Sequence, residues 1–183
     1  MIYTMKYESP LGKLTVASEG DNIVGLWLEG QKYFAASIKS EMTENPNLPV
    51  FADARHWLED YFAGKKPEIS ALPLKPEGGT FRKAVWEILC EIPYGELTTY
   101  GKIAEKMAVR LGRPSMSSQA VGGAVGHNPI SIIIPCHRVV GSNGSLTGYA
   151  GGINKKIQLL QHEGVELKGL YIPKGYLKVD KLQ

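Results

Sequence analysis

Residues 100–126 read YGKIAEKMAVRLGRPSMSSQAVGGAVG. Tyr100, Ile103, Ala104 and Met107 recur at three- and four-residue spacing, which predicts one apolar face of a helix. A loop with Gly112 and Pro114 follows, then residues 116–126, a segment of small side chains. Helix, polar loop, then a helix rich in Ala, Gly and Ser is a helix-turn-helix pattern, a weak one on sequence alone. Just upstream, Phe81, Val85, Ile88 and Leu89 mark another helical face, with Thr80 placed to cap it and Pro93-Tyr94-Gly95 to end it. Downstream of Asn128-Pro129, residues 130–134 are the β-branched run ISIII, read as a buried strand closed by Pro135. A Gly/Ser-rich loop then runs to Gly152, and Ile153, Ile157 and Leu160 mark a last helix ending near Glu163-Gly164.

The first part of the chain has a different texture. Turn residues at 9–12 (SPLG) and 19–22 (EGDN) separate residues 2–7, 13–18 and 23–28, which predicts three strands. Val50, Ala54, Trp57, Leu58 and Tyr61 recur at helical spacing before Gly64. Residues 67–79 hold Pro67, Pro73, Pro76, Gly78 and Gly79 and read as an extended linker. The expected organisation is therefore residues 1–79, an α/β unit with its linker, and residues 80–183, a mainly helical unit.

Of 183 residues, 43% are hydrophobic and 21% charged, the balance of an ordinary globular protein with a real core. No apolar run reaches the length that crosses a membrane, and the opening MIYTMKYESPLGK lacks the apolar stretch of a secretory signal. Two cysteines, Cys90 and Cys136, are too few for a disulfide scaffold and fit a reducing, cytoplasmic setting. Net charge is +3, but residues 1–79 carry −3 and residues 80–183 carry +6. A basic second part suggests a polyanionic partner, against the plainer reading of scattered surface charge.

Cys136 is the candidate for chemistry. Pro135 fixes the backbone before it, and the cations His137 and Arg138 would favour the thiolate, which is the nucleophile. On an extended chain neighbouring side chains point to opposite faces, so Cys136 and His137 need a bend or a bridging water to communicate. The alternative is a small buried hydrophobe. Cys90 sits among Ile88, Leu89, Glu87 and Glu91, an apolar and acidic setting that raises a thiol pKa; it reads as packing. The histidines at 56, 127, 137 and 162 give no closed metal spacing with Cys136, so no metal is expected. Gly122-Gly123 matches neither a Walker nor a dinucleotide motif and suits close helix packing or close approach to DNA.

The pentapeptide PCHRV at 135–139, with AVGGA at 120–124, Asn128-Pro129 and HEG at 162–164, strongly resembles the O6-alkylguanine-DNA alkyltransferases (methylated-DNA–protein-cysteine methyltransferases). The resemblance is tight over residues 80–165 and looser over 1–75. It implies an α/β N-terminal domain with a ribonuclease-H-like sheet and a mainly α C-terminal domain with a winged-helix-like helix-turn-helix. It implies a monomer that meets double-stranded DNA containing O6-alkylguanine and moves a methyl or alkyl group onto Cys136, once and without a cofactor; O4-alkylthymine is left open. The roles it implies are His137 as the group that takes the thiol proton through a water, Glu163 as the carboxylate that orients it, and Asn128 as the tie for the turn before Cys136. Tyr100 is implied as donor to the flipped guanine. Tyr149, the Ala150 amide and the Val139 carbonyl are implied as contacts to the base, with Arg138 grouped among the substrate-facing residues. Gln119 stands where the family usually has an arginine that fills the gap left in the duplex, and residues 108–118 are longer than usual. Two rivals stay open: a binding-only damage sensor, which would replace the cysteine, and a cysteine hydrolase, which would turn over.

Overall fold

The computed structural model describes residues 1–174. Three antiparallel strands, β1 (Ile2–Ser9), β2 (Gly12–Glu19) and β3 (Asn22–Leu28), form where the turn residues placed them. A short fourth strand not foreseen from the sequence, β4 (Met42–Glu44), pairs parallel to β1, giving the order β3-β2-β1-β4. Helix α1 (Pro49–Phe62) lays Val50, Phe51, Ala54, Trp57, Leu58 and Tyr61 onto β1 and β2. Its proline begins the first turn, where a missing N–H costs nothing.

The second part contains α2 (Thr80–Cys90), α3 (Tyr100–Arg110), α4 (Ser118–Gly126) and α5 (Ile153–His162). Two strand fragments, β5 (Thr98–Thr99) and β6 (Val139–Val140), pair in parallel beside them. Thr99 caps α3 by accepting from Lys102 N, and Ser117 caps α4 by accepting from Ala120 N. Thr80 does not cap α2: Gly79 holds the cap position, and Thr80 is the first helical residue. Helices α2, α3 and α4 pack on one another, which makes α3 and α4 a helix-turn-helix pair.

Two expectations need correction. Residues 130–134 are buried but are not a strand: only Ile130 makes a bridge, to Leu26, and the chain then coils. Asn128 is the cause. Its side chain accepts from Ile130 N at 3.0 Å and donates to Ile134 O at 2.8 Å, while Ile134 N donates to Ile130 O at 3.0 Å. The bend puts Ile132 at φ +70°, a costly conformation for a β-branched residue, held by full burial of its side chain. The linker, likewise, is not free. Ile23 N donates to Pro73 O and Lys75 N donates to Ile23 O, each at 2.8 Å, so residues 73–75 line the outer edge of β3. Residues 129–131 line the same edge farther on, through Leu26. An open sheet edge is thereby closed.

One apolar cluster runs through both parts and includes Leu26, Phe51, Leu58, Val85, Ile133 and Leu159. At the seam Trp86 donates from Nε1 to Ala124 O at 2.8 Å, and its ring covers Gly78. A Cβ on Gly78 would stand 2.6 Å from the ring, whereas one on Gly79 meets nothing within 4 Å. Gly78→Ala is therefore expected to lose about 1–3 kcal/mol by overpacking, and Gly79→Ala to change stability little. Urea denaturation of both variants checks the contrast.

Candidate active site

The bend imposed by Asn128 delivers Pro135 and then a single 3-10 turn, Cys136–Arg138. In such a turn successive side chains fan out around the axis instead of pointing to opposite faces. Cys136 is 5% exposed and His137 is fully buried. His137 Nε2 faces Glu163 Oε2 in a short contact, while Nδ1 has no hydrogen-bond partner within the described residues. With Nε2 carrying the proton, Nδ1 offers a lone pair.

Glu163 follows directly after α5. Its Oε1 accepts from Arg138 Nε at 2.6 Å and Gly95 N at 3.1 Å; its Oε2 accepts from Tyr61 Oη at 2.8 Å as well as from His137. Burial pushes this carboxyl up, but hydrogen bonds and charge from His137 and Arg138 outweigh it and hold the pKa at about 2. The His137 pKa is lowered as well: burial outweighs the Glu163 contact and favours the neutral imidazole.

Arg138 departs from its expected place. It is 6% exposed, bonded to Glu163 and, through Nη1, to Ile92 O at 2.6 Å, and its guanidinium lies 5.6 Å from the Tyr94 ring centre. It points inward to the carboxylate, which a buried guanidinium needs as a partner. It is not the cation whose charge acts on the Cys136 thiol. Burial raises the Cys136 pKa, and the opposing influences are the Asn128 side chain and the charge of Lys156. Lys156 escaped the sequence reading because Lys155-Lys156 on an amphipathic helix looks like solvated surface. It is fully buried, donating to Val139 O and, at 2.9 Å, to Thr147 O. Its pKa is lowered to about 8 by burial, partly offset by Cys136.

Of the remaining expected residues, Tyr149 lies beside this centre, and Tyr100 and Gln119 line a separate hollow. Tyr149 is 9% exposed and sits edge-on to His137, with ring centres 6.5 Å apart. Tyr100 Oη donates to Thr147 O at 3.0 Å and rests against Gly148, whose φ of +88° and crowded Cα admit no side chain. Tyr100, Gln119, Gly122, Ser142, Thr147 and Gly148 line an open hollow of about 480 Å³ at the helix-turn-helix. Gln119 lies in the first turn of α4, on the wall of that hollow. The Ala150 carbonyl accepts from Lys32 N, and the Val139 carbonyl accepts from Lys156. Cys90 lies apart, half-buried, with its pKa raised to about 11 by burial and by Glu87 and Glu91. Among the described residues no cluster of three or more His, Cys, Asp or Glu could hold a metal, and no helix is long and apolar enough to cross a membrane.

Comparison with known proteins identifies the family. The family described as 6-O-methylguanine DNA methyltransferase, ribonuclease-like domain, matches residues 2–76, and its DNA binding domain matches residues 80–165. A methylated-DNA–protein-cysteine methyltransferase of Haemophilus influenzae is 44% identical over 174 residues, covering 95% of this chain and 90% of that protein. The chain belongs to the 6-O-methylguanine DNA methyltransferase family. Its sheet-plus-helical architecture matches the solved O6-methylguanine methyltransferase of Mycobacterium tuberculosis with a TM-score of 0.76, at 42% identity over 89% of this chain and 93% of that one. A structure of the M. tuberculosis protein in complex with DNA aligns with a TM-score of 0.75, at 40% identity over 88% and 91% of the two chains.

In this methyltransferase fold the depressed Glu163 pKa has a thermodynamic consequence. A carboxyl held lower in the folded than in the unfolded state stabilises the protein above its unfolded pKa of about 4.5, and loses that contribution as pH falls toward 2. Glu163→Gln is expected to cost about 3 kcal/mol at pH 7 and progressively less between pH 4.5 and 2.5. Urea midpoints of both proteins across that range check it.

Proposed function

We propose that this protein repairs DNA by moving a methyl or other alkyl group from O6-alkylguanine to Cys136, once per molecule. The observation that carries the reading is the buried His137, anchored at Nε2 by Glu163 and open at Nδ1, one residue after a buried cysteine whose thiolate the charge of Lys156 favours. Family membership and the named methyltransferase relatives point the same way.

The chemistry follows from these groups. The Cys136 thiol gives its proton to His137 Nδ1 through a water, Glu163 holds the imidazole, and Lys156 favours the thiolate. Sulfur attacks the alkyl carbon in line as the carbon–O6 bond breaks, so the sulfur–carbon bond forms and guanine leaves. The departing base receives a proton from Tyr100, balanced by the one His137 took. The Val139 carbonyl, Tyr149 and the Ala150 amide meet the base, and Asn128 keeps the turn before Cys136 in shape. A base inside a duplex must be flipped out, and the glycines of α4 allow close approach while Gln119 fills the gap. In this reading residues 1–79 and 80–183 are the two structural units, and the protein works as a monomer in the cytoplasm. The thioether has no ready leaving group, and Cys90 is not poised to attack it.

Mixing with excess duplex containing O6-methylguanine is expected to give one equivalent of repaired base and then stop, with one methyl on the peptide that contains Cys136. Intact mass and peptide mapping check it; Cys136→Ser abolishes transfer and Cys90→Ser leaves it nearly unchanged. Continued turnover beyond one equivalent would point to a hydrolase.

Gln119→Arg is expected to tighten duplex binding or to speed transfer from duplex by severalfold, because a guanidinium reaches farther than an amide and carries charge. Transfer from the free base O6-methylguanine, where nothing is flipped, is the control. Equal gains on both substrates would remove Gln119 from the duplex gap.

A further inference from the structure

We propose that Tyr61, carried by α1 of the first part, is a positioning residue of the transfer site that fixes the orientation and protonation of His137 through Glu163. The proposal rests on the repair reading above. Its basis is the sharing of one oxygen atom: Tyr61 Oη donates at 2.8 Å to Glu163 Oε2, the oxygen that also holds His137 Nε2. Tyr61 is 1% exposed, and burial, with the charge of Glu163 behind it, pushes its phenol far above the ordinary range, so it is a permanent donor.

The side chain is built into place from every direction. Its ring stacks on Trp57 at 5.6 Å and 6°, and meets Phe62 and Tyr94 edge-on at 5.1 and 5.8 Å. His162 packs against the same ring, and its Nε2 lies 2.8 Å from the Tyr61 carbonyl. The adjacent residues His162 and Glu163 therefore grip Tyr61 at its two ends, main chain and hydroxyl. Packing alone would need the ring; the hydroxyl is directed to the atom that orients the catalytic imidazole.

A donor on Oε2 withdraws charge from that oxygen. Glu163 then remains a carboxylate that holds the His137 proton on Nε2 without drawing the ring into the imidazolium form. The other charged and titratable groups around the pair are Arg138 on Oε1, Lys156 from α5, Cys136, Tyr94, Tyr149 and His162. Among the described residues, the hydrogen bonds to Oε2 come from Tyr61 and His137.

The test is the pH dependence of single-turnover transfer from an O6-methylguanine duplex by the full chain, for wild type, Tyr61→Phe and Trp57→Phe. Loss of the hydroxyl leaves more charge on Oε2, which favours imidazolium. The acid limb of Tyr61→Phe is expected to move up by about 0.5–1 pH unit, with duplex affinity unchanged. Trp57→Phe disturbs the stacking but keeps the hydroxyl, so its acid limb stays in place even if its melting temperature falls. A Tyr61→Phe profile that superimposes on an active wild type overturns the proposal, as does an equal shift in Trp57→Phe. Absence of transfer by wild type strikes the repair reading instead. The positioning role is then decided by the His137 ring-nitrogen NMR shifts, which must differ between wild type and Tyr61→Phe; identical shifts overturn it.

Discussion

The carboxylate of Glu163 accepts hydrogen bonds from four groups that arrive from three stretches of chain: Tyr61 from α1, the Gly95 amide after α2, and His137 and Arg138 from the turn beside Cys136. A buried carboxylate with fewer donors would protonate or unfold its surroundings, because the cost of burying a charge is met only by bonds that satisfy it. Each donor is therefore held by the others. The turn at 136–138 cannot rotate without releasing Arg138, α1 cannot slide without releasing Tyr61, and the loop at 93–95 is tied to the same carboxylate through the Gly95 amide. The geometry at Cys136 is thus a property of the whole chain rather than of its own pentapeptide.

Much of this was legible in the sequence where the signals were local. Turn residues marked β1 to β3, and the helical spacing of Trp57, Leu58 and Tyr61 marked α1. Cys136 and His137 stood out because their flanking residues bear on thiol chemistry. What failed to show were long-range facts. A β-branched run reads alike whether it is extended or coiled, and only the Asn128 side chain, bonded to both ends of residues 130–134, selects the coil. Arg138 reads as a cation beside the thiol until Glu163, 25 residues away, is folded against it. Lys156 and Tyr61 obey the rules of amphipathic helices, and nothing in periodicity distinguishes a residue that packs from one that also donates into a site. β4 has three residues, too few for a pattern.

The closed outer edge of β3 explains why the two halves behave as one packed body despite a proline- and glycine-rich join. Residues 73–75 and 129–131 bond to the same strand, and Trp86 covers Gly78. The join is thus part of the sheet's edge, and the shared apolar cluster extends on either side of it.

Lys156 gives the chain a way of remembering. It is an ammonium deep in the fold, held by two carbonyls, with its pKa already drawn down to about 8 and the Cys136 sulfur acting to hold it up. Once that sulfur has taken an alkyl group it can no longer carry negative charge. The ammonium then loses the counter-charge that favoured it, and its proton becomes easier to shed. A used molecule and a fresh one therefore differ in the electrical balance of the interior as well as by a few added atoms.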